Sequence, residues 1–204
     1  MLPLLKGIIL GFSIAAPVGP IGVLCIRRTI ALGRLHGFLS GLGAATADAI
    51  YGFIAGFGFT FLMNFLLDQR LLLQAAGGVF LCYLGVQTFR SNPAADPAQV
   101  KSGSLLGSYL STLMLTIANP LTMMAFVGIF AGLGIGSSPG DSYAAVSLVT
   151  GVFLGSAAWW IVLSVSVGLL RSRLEASSLK WINRVSGLII AGFGIAALMG
   201  LLAS

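Results

Sequence analysis

Charge is scarce in this sequence. Only 8% of its 204 residues are Asp, Glu, Lys or Arg, where a soluble domain carries roughly 25%. So few charges cannot coat a globular surface, and that makes lipid the expected solvent. Acids are rarest: Asp48, Asp68, Asp96, Asp141 and Glu175 are the full set. Histidine occurs once, at His36, and cysteine twice, at Cys25 and Cys82. Both cysteines lie inside apolar runs. Their spacing makes neither a disulfide framework nor a metal pair, and each reads as a small buried hydrophobe. A lone histidine cannot form an HExxH pair, and no nucleophile stands beside a base, so an intramembrane enzyme is not expected. The net charge of +6 does not imply nucleic acid, because the basic residues fall in short loops and form no stripe or cluster.

Apolar runs are abundant instead. A helix needs about 20 apolar residues to cross the hydrocarbon core. Six stretches qualify: 3–26, 37–63, 71–89, 105–134, 143–170 and 181–203. The first runs on to Ile26 with one lysine ahead of it, which is too long for the core of a cleaved signal peptide. The longest connection spans Arg90 to Ser104, with Asn92-Pro93 and Asp96-Pro97 as turn signals. No polar linker is long enough to be a second domain. The expected fold is an all-α membrane protein with six transmembrane helices in one domain, 1–204.

The basic residues suggest an orientation. Arg27, Arg28 and Arg34 are read as the loop between helices one and two, and Arg90 and Lys101 lie between three and four. Arg171, Arg173, Lys180 and Arg184 lie between or beside five and six, while the opposite side holds only Lys6 and Arg70. The positive-inside rule then puts the first three loops in the cytoplasm and both termini outside.

Two of the six stretches are interrupted. Pro17-Val18-Gly19-Pro20 sits in the first and Asn119-Pro120 in the fourth. Proline in a helix removes a donor from the carbonyl four residues back. Pro17 is thus expected to free the carbonyl of Ser13, Pro20 that of Ala16, and Pro120 that of Thr116. Gly19 lets the backbone leave helical geometry cheaply. Such breaks survive in lipid only where protein buries them or they line a cavity. Freed carbonyls can accept from an ammonium group, and the new helix N-termini can attract a carboxylate. A zwitterionic amino acid needs both. Simple packing kinks are the plainer explanation.

Asp48 is the one acid inside a span. It lies about 17 Å in from Gly37, near the midplane, at ~1.5 Å per residue. A carboxylate there costs about 2.5 to 3.5 kcal/mol on insertion scales. The same helix face carries Gly41, Ala44, Ala45, Gly52 and Ala55. Small residues at that spacing mark a face packed on other helices, so Asp48 is expected to point into the bundle. Tyr51, one turn on, could bond to it. The bland role for Asp48 is a structural hydrogen bond. The functional one is proton carrier or countercharge for a substrate amine, because the neutral form of a carboxyl group gains on the charged form away from water. Competition of proton and substrate for one acid would give antiport.

Other residues give weaker signals. Trp159-Trp160 lie mid-helix rather than at an interface; Trp159 is taken as a candidate wall residue, with packing as its rival. Trp181 reads as an interfacial anchor and His36 as solvated. Thr46, Ser111, Thr112, Thr116 and Thr122 could line a path or bond their own helix.

The chain also reads as two three-helix halves, 1–103 and 104–204. Gly78 to Gly85 matches Gly187 to Gly194 in glycine spacing, Gly41 aligns with Gly151, and the two proline breaks correspond. An odd number of helices per half makes the second half enter in the opposite sense, an inverted repeat.

Taken together, Pro17-Val18-Gly19-Pro20, Ala47-Asp48, the glycine-punctuated third helix and Asn119-Pro120 resemble the LysE/RhtB amino-acid exporters, along nearly the whole chain. The common family form is Pro-Gly-Pro; here Val18 intervenes. The resemblance implies a secondary transporter that expels amino acids or related metabolites across a bacterial inner membrane by proton antiport. It implies no cofactor, a small-molecule substrate, contact with membrane lipid, no nucleic acid, and room for a homo-oligomer. The candidate site is Ser13, Ala16, Pro17, Gly19, Pro20, Asp48, Tyr51, Thr116, Asn119, Pro120 and Trp159. A divalent-cation exporter of similar fold and a membrane scaffold subunit are the alternatives. The first would need more midplane ligands than one acid. The second gives no reason for two breaks and a buried acid.

Overall fold

The computed structural model describes residues 2–17, 19–57, 65, 68–90, 104–132, 142–171 and 176–202. Among them no strand occurs. The helices are α1 (Leu2–Ala15), α2 (Pro20–Leu32), α3 (Arg34–Gly56), α4 (Arg70–Arg90), α5 (Leu105–Ile117), α6 (Pro120–Gly132), α7 (Ser142–Arg171) and α8 (Ala176–Leu202).

Two of the three prolines at the breaks, Pro20 and Pro120, start helices rather than kink them. Pro20 is the first residue of α2, behind an extended Gly19 at φ −111° and ψ −166°, and Pro120 is the first residue of α6. At that position the missing N–H has no partner to lose. The chain bends by 80° between α1 and α2. The first expected span, 3–26, is therefore two helices, and the second runs on to Leu32. The fourth, 105–134, is likewise divided at Ala118 and Asn119. A second sharp turn follows α2, where Gly33 has φ 109°, a left-handed conformation that favours glycine.

Four helices, α3, α4, α7 and α8, are long and apolar enough to cross a membrane, and the bent α1–α2 pair would make five. α5 is apolar but shorter. The bundle has the polarity of a multi-pass membrane protein. Leu72, Val79, Leu169, Leu188 and Ile195 face outward, while Ser40, Asp48, Thr112, Ser156 and Ser164 are buried. Val18 and the turn signals of 91–103 lie outside the described residues.

Two expectations about loops are corrected. Arg27 and Arg28 belong to α2 and not to a loop. Arg28 is only 8% exposed, so it is no simple orientation charge. His36 is not solvated: it is half-buried in the first turn of α3, with Nδ1 3.0 Å from Ser108 Oγ.

α3 is the hub, touching α1, α2, α5, α6 and α7. α1 packs along α7, and α4 along α8. Backbones meet closely in both pairs. A Cβ on Gly7 or Gly11 would overlap the backbone of α7, and one on Gly151 or Gly155 the backbone of α1. Across α4 and α8 the contact is reciprocal: Gly78 lies against Gly194, and Gly85 against Gly187. Such close approach is the usual way membrane helices gain packing energy, since lipid supplies no hydrophobic drive between them.

Candidate functional site

A cavity of about 640 Å³ lies where the two breaks meet α3, within the ~300–1,000 Å³ of small-molecule sites. Ser13, Pro17, Gly19 and Pro20 line it from the first break, and Thr116, Ala118 and Asn119 from the second. Asp48 and Trp160 add α3 and α7, and Gln74, Leu81 and Phe193 close it from α4 and α8. The wall is mostly apolar, with few polar groups.

Asp48 is 3% exposed. Its Oδ2 accepts from Ser156 Oγ at 2.7 Å, and Ser156 Oγ accepts from Trp160 Nε1 at 3.2 Å. Oδ1 has no partner among the described residues. Ser156 and Trp160 stand one turn apart on α7, which puts both on one face. The indole fits there because residue 41 is glycine; a Cβ at Gly41 would overlap Trp160.

The other candidates divide. Tyr51 does not bond to Asp48. Its hydroxyl donates to the carbonyl of Ile117 at 2.6 Å, and its ring stacks on Phe126 at 5.6 Å. The reason is geometric: Tyr51 faces the end of α5, where helix termination leaves carbonyls without helical donors. The carbonyl of Thr116 is not free either. It accepts from the Asn119 N–H at 3.1 Å, as the chain tightens into a turn before Pro120. Asn119 itself caps α6, its Oδ1 accepting from the Leu121 N–H at 3.1 Å. Gly19 has no side chain with which to cap α2, and Ile21 and Gly22 line the cavity. Pro17 has no N–H to offer the Ser13 carbonyl. Ala16 donates its N–H to Phe12 at 3.0 Å and does not line the cavity. Trp159 is turned away, edge-on to Phe12 at 5.3 Å, so Trp160 is the cavity tryptophan.

A second polar cluster was hidden in the sequence. Arg28 Nη1 lies 2.9 Å from Ser40 Oγ, from the Ser108 carbonyl and from Thr112 Oγ1, and Nη2 lies 2.8 Å from Ser111 Oγ. These neutral acceptors join α2 to α3 and α5. Arg27 reaches α8, its Nε 3.5 Å from Asn183 Oδ1. Ser156, Gln74 and Arg28 were not singled out as site residues. Only Ser156 had a local signal, a hydroxyl four residues before Trp160. Among the described residues no three His, Cys, Asp or Glu side chains group as metal ligands.

Comparison with known proteins places these features in context. The sequence model of the LysE type translocator matches residues 12–200. The chain is 29% identical over 199 residues to the "Putative amino acid efflux protein YcgF" of Bacillus subtilis (strain 168), covering 93% of this chain and 92% of that one. It is 26% identical over 186 residues to the threonine efflux protein of Escherichia coli (strain K12), covering 87% and 88%. A threonine efflux protein of Salmonella typhi is 24% identical over 185 residues, with 87% and 88% covered. No solved structure matches the chain.

Proposed function

Because the chain belongs to the LysE type translocator family, we propose that it is a secondary transporter that exports amino acids or related small metabolites across the bacterial inner membrane, exchanging them for protons. The observation that carries this reading is the meeting of Asp48 with both helix breaks around one cavity. The substrate ammonium pairs with Asp48. The carboxylate goes to the start of α2, where Gly19 leaves the N–H groups of Ile21 and Gly22 without a side-chain cap, and where the helix dipole favours an anion. The start of α6 is less available, since Asn119 already accepts from Leu121 there. The names of the relatives support an amino acid as cargo. The apolar walls favour a neutral side chain.

Proton antiport follows from one acid serving two ligands. When the ammonium binds, the proton leaves Asp48; when the proton returns, the substrate is released on the other side. Asp48, Ser13, Pro17, Gly19, Pro20, Thr116 and Asn119 form the proposed site, with Trp160 as a wall.

The chain works as one domain of two inverted halves, 1–103 and 104–204, with each broken pair crossing as one span to make six. The reciprocal contacts of Gly78 with Gly194 and Gly85 with Gly187 support this, since a two-fold axis makes residue i of one copy meet j of the other and j meet i. α1 on α7 and α5 on α3 repeat one arrangement in the same way. Lys101 and Arg173 favour a cytoplasmic side for their loops, and Lys180 for the start of α8, with both termini periplasmic.

The test is uptake of a panel of labelled amino acids into inside-out membrane vesicles. Export in the cell predicts accumulation in the vesicles that depends on an imposed proton gradient. Absence of gradient-dependent accumulation for every amino acid in the panel rules the proposal out.

A further inference from the structure

The geometry points to Ser156 as the positioning residue of Asp48: wired from Trp160, it holds one carboxylate oxygen and leaves the other as the single atom for which proton and substrate ammonium compete. The inference rests on the reading of Asp48 as the exchange group.

The argument is one of hydrogen counting. An indole nitrogen can only donate. Trp160 Nε1, 3.2 Å from Ser156 Oγ, therefore obliges that oxygen to accept. A serine hydroxyl has one hydrogen. Its partner at 2.7 Å is Asp48 Oδ2, so the hydrogen goes there. All three side chains are at least nine-tenths buried, and turning the hydroxyl away would strand a buried donor or acceptor at a cost no other group repays. Oδ2 is thus an acceptor in both states of the acid. Oδ1, without a partner among the described residues, is where a proton adds and where an ammonium docks. Both cannot hold it together, and that exclusion is what couples exchange.

Among the described residues the surroundings supply no rival wire. Tyr51 is the titratable neighbour of Asp48 on α3, and its hydroxyl is committed to Ile117. On the packed elements, Arg34, His36 and Tyr143 stand near the starts of α3 and α7, Tyr109 donates to Thr46, Arg28 is held by hydroxyls and a carbonyl of α3 and α5, Arg27 meets Asn183 of α8, Lys6 lies in α1, and Cys25 is a buried thiol on α2. None of them bonds to Asp48.

The wiring also makes Trp160 a reporter. Charge on Asp48 polarises the Ser156 hydroxyl, and through it the indole N–H. Replacing Trp159 and Trp181 by Phe leaves Trp160 as the one tryptophan of the three. In lipid vesicles its emission is expected to shift as pH is varied, and to shift again on adding L-threonine. Asp48→Asn should remove the pH step. Ser156→Ala should remove most of it, at least threefold in amplitude, and Ser156→Thr should restore it. A full pH step in Ser156→Ala overturns the wiring. Should Ser156→Ala fail to fold, the Trp159→Phe/Trp181→Phe protein decides alone, because an emission with no pH step there is equally fatal. Transport of the amino-acid panel is measured in the same vesicles, and only failure with every member counts as failure to transport. A protein that fails to transport yet keeps the step defeats the exporter reading and leaves the wiring standing.

Discussion

The Tyr51 hydroxyl donates to the Ile117 carbonyl at 2.6 Å, 66 residues away. This bond ties the hub helix α3 to the end of α5, one residue before the second break. It answers where a terminal carbonyl of a broken helix finds a donor in a medium without water. Tyr51 is therefore a strut of the site and not a ligand of Asp48. Replacing it with Phe keeps the ring stacked on Phe126 and removes only the donor. The expected loss is about 1–3 kcal/mol, the cost of an unsatisfied buried acceptor, seen as a lower thermal midpoint in detergent. An unchanged midpoint would show that the bond contributes nothing.

Arg28 fastens α2 to α3 and α5 through Ser40, Ser108, Ser111 and Thr112. Hydrogen bonds to a charged group are worth about 1.5–3 kcal/mol each at most, and they do not add. Ser40 and Thr112 keep bonds to their own helices, to His36 and Ser108, so Arg28→Ala strands little. The expected loss is about 2–3 kcal/mol, and Arg28→Lys should recover only part of it, because an ammonium lacks the planar fork. Thermal unfolding of both variants checks this. A lysine variant as stable as the parent would show that charge alone matters.

Asn119 caps α6 through the Leu121 N–H. Asn119→Ala should cost about 0.5–2 kcal/mol and loosen the break, raising the apparent KM for exported amino acid. Asn119→Ser retains a capping oxygen and should stay close to the parent in both. If the serine and alanine variants behave alike, Asn119 does not act as a cap.

Gly41 makes room for Trp160. A larger residue displaces the indole that anchors Ser156. Gly41→Val should destabilise by about 1–3 kcal/mol, as overpacking does, and should also blunt gradient-driven transport. Transport at parental rates in a folded Gly41→Val protein would show that the position of Trp160 is not needed.

Much of this was legible in the sequence, for reasons that are local. A proline and a glycine announce a break wherever they stand, so Pro20 and Pro120 were found, and only their role as helix starters required the backbone. Asp48 stood out because an acid in an apolar run has few neutral explanations. The small face of α3 placed it inward, and Gly41, Ala44, Ala45 and Gly52 are buried. What was not legible depends on the register between helices. Nothing near Tyr51 in sequence says that Ile117 lies opposite. Nothing near Asp48 says that Ser156, 108 residues on, donates to it. Arg27 and Arg28 looked like a loop because charges usually end a span. They continue α2 because α3 and α5 bring hydroxyls and a carbonyl to meet Arg28, and α8 an amide to meet Arg27. Trp159 and Trp160 could not be told apart until the rotation of α7 was known.

The central claim is that Asp48 exchanges a proton for an amino acid. The most direct measurement is accumulation, by the purified protein in sealed vesicles under an imposed proton gradient, of whichever amino acid of the panel is taken up best, parent against Asp48→Asn, with folding of the variant verified by its elution and helical content. The account predicts gradient-driven accumulation by the parent and, for Asp48→Asn, a rate no higher than that of protein-free vesicles. Accumulation by Asp48→Asn at the parental rate under the same gradient would contradict it.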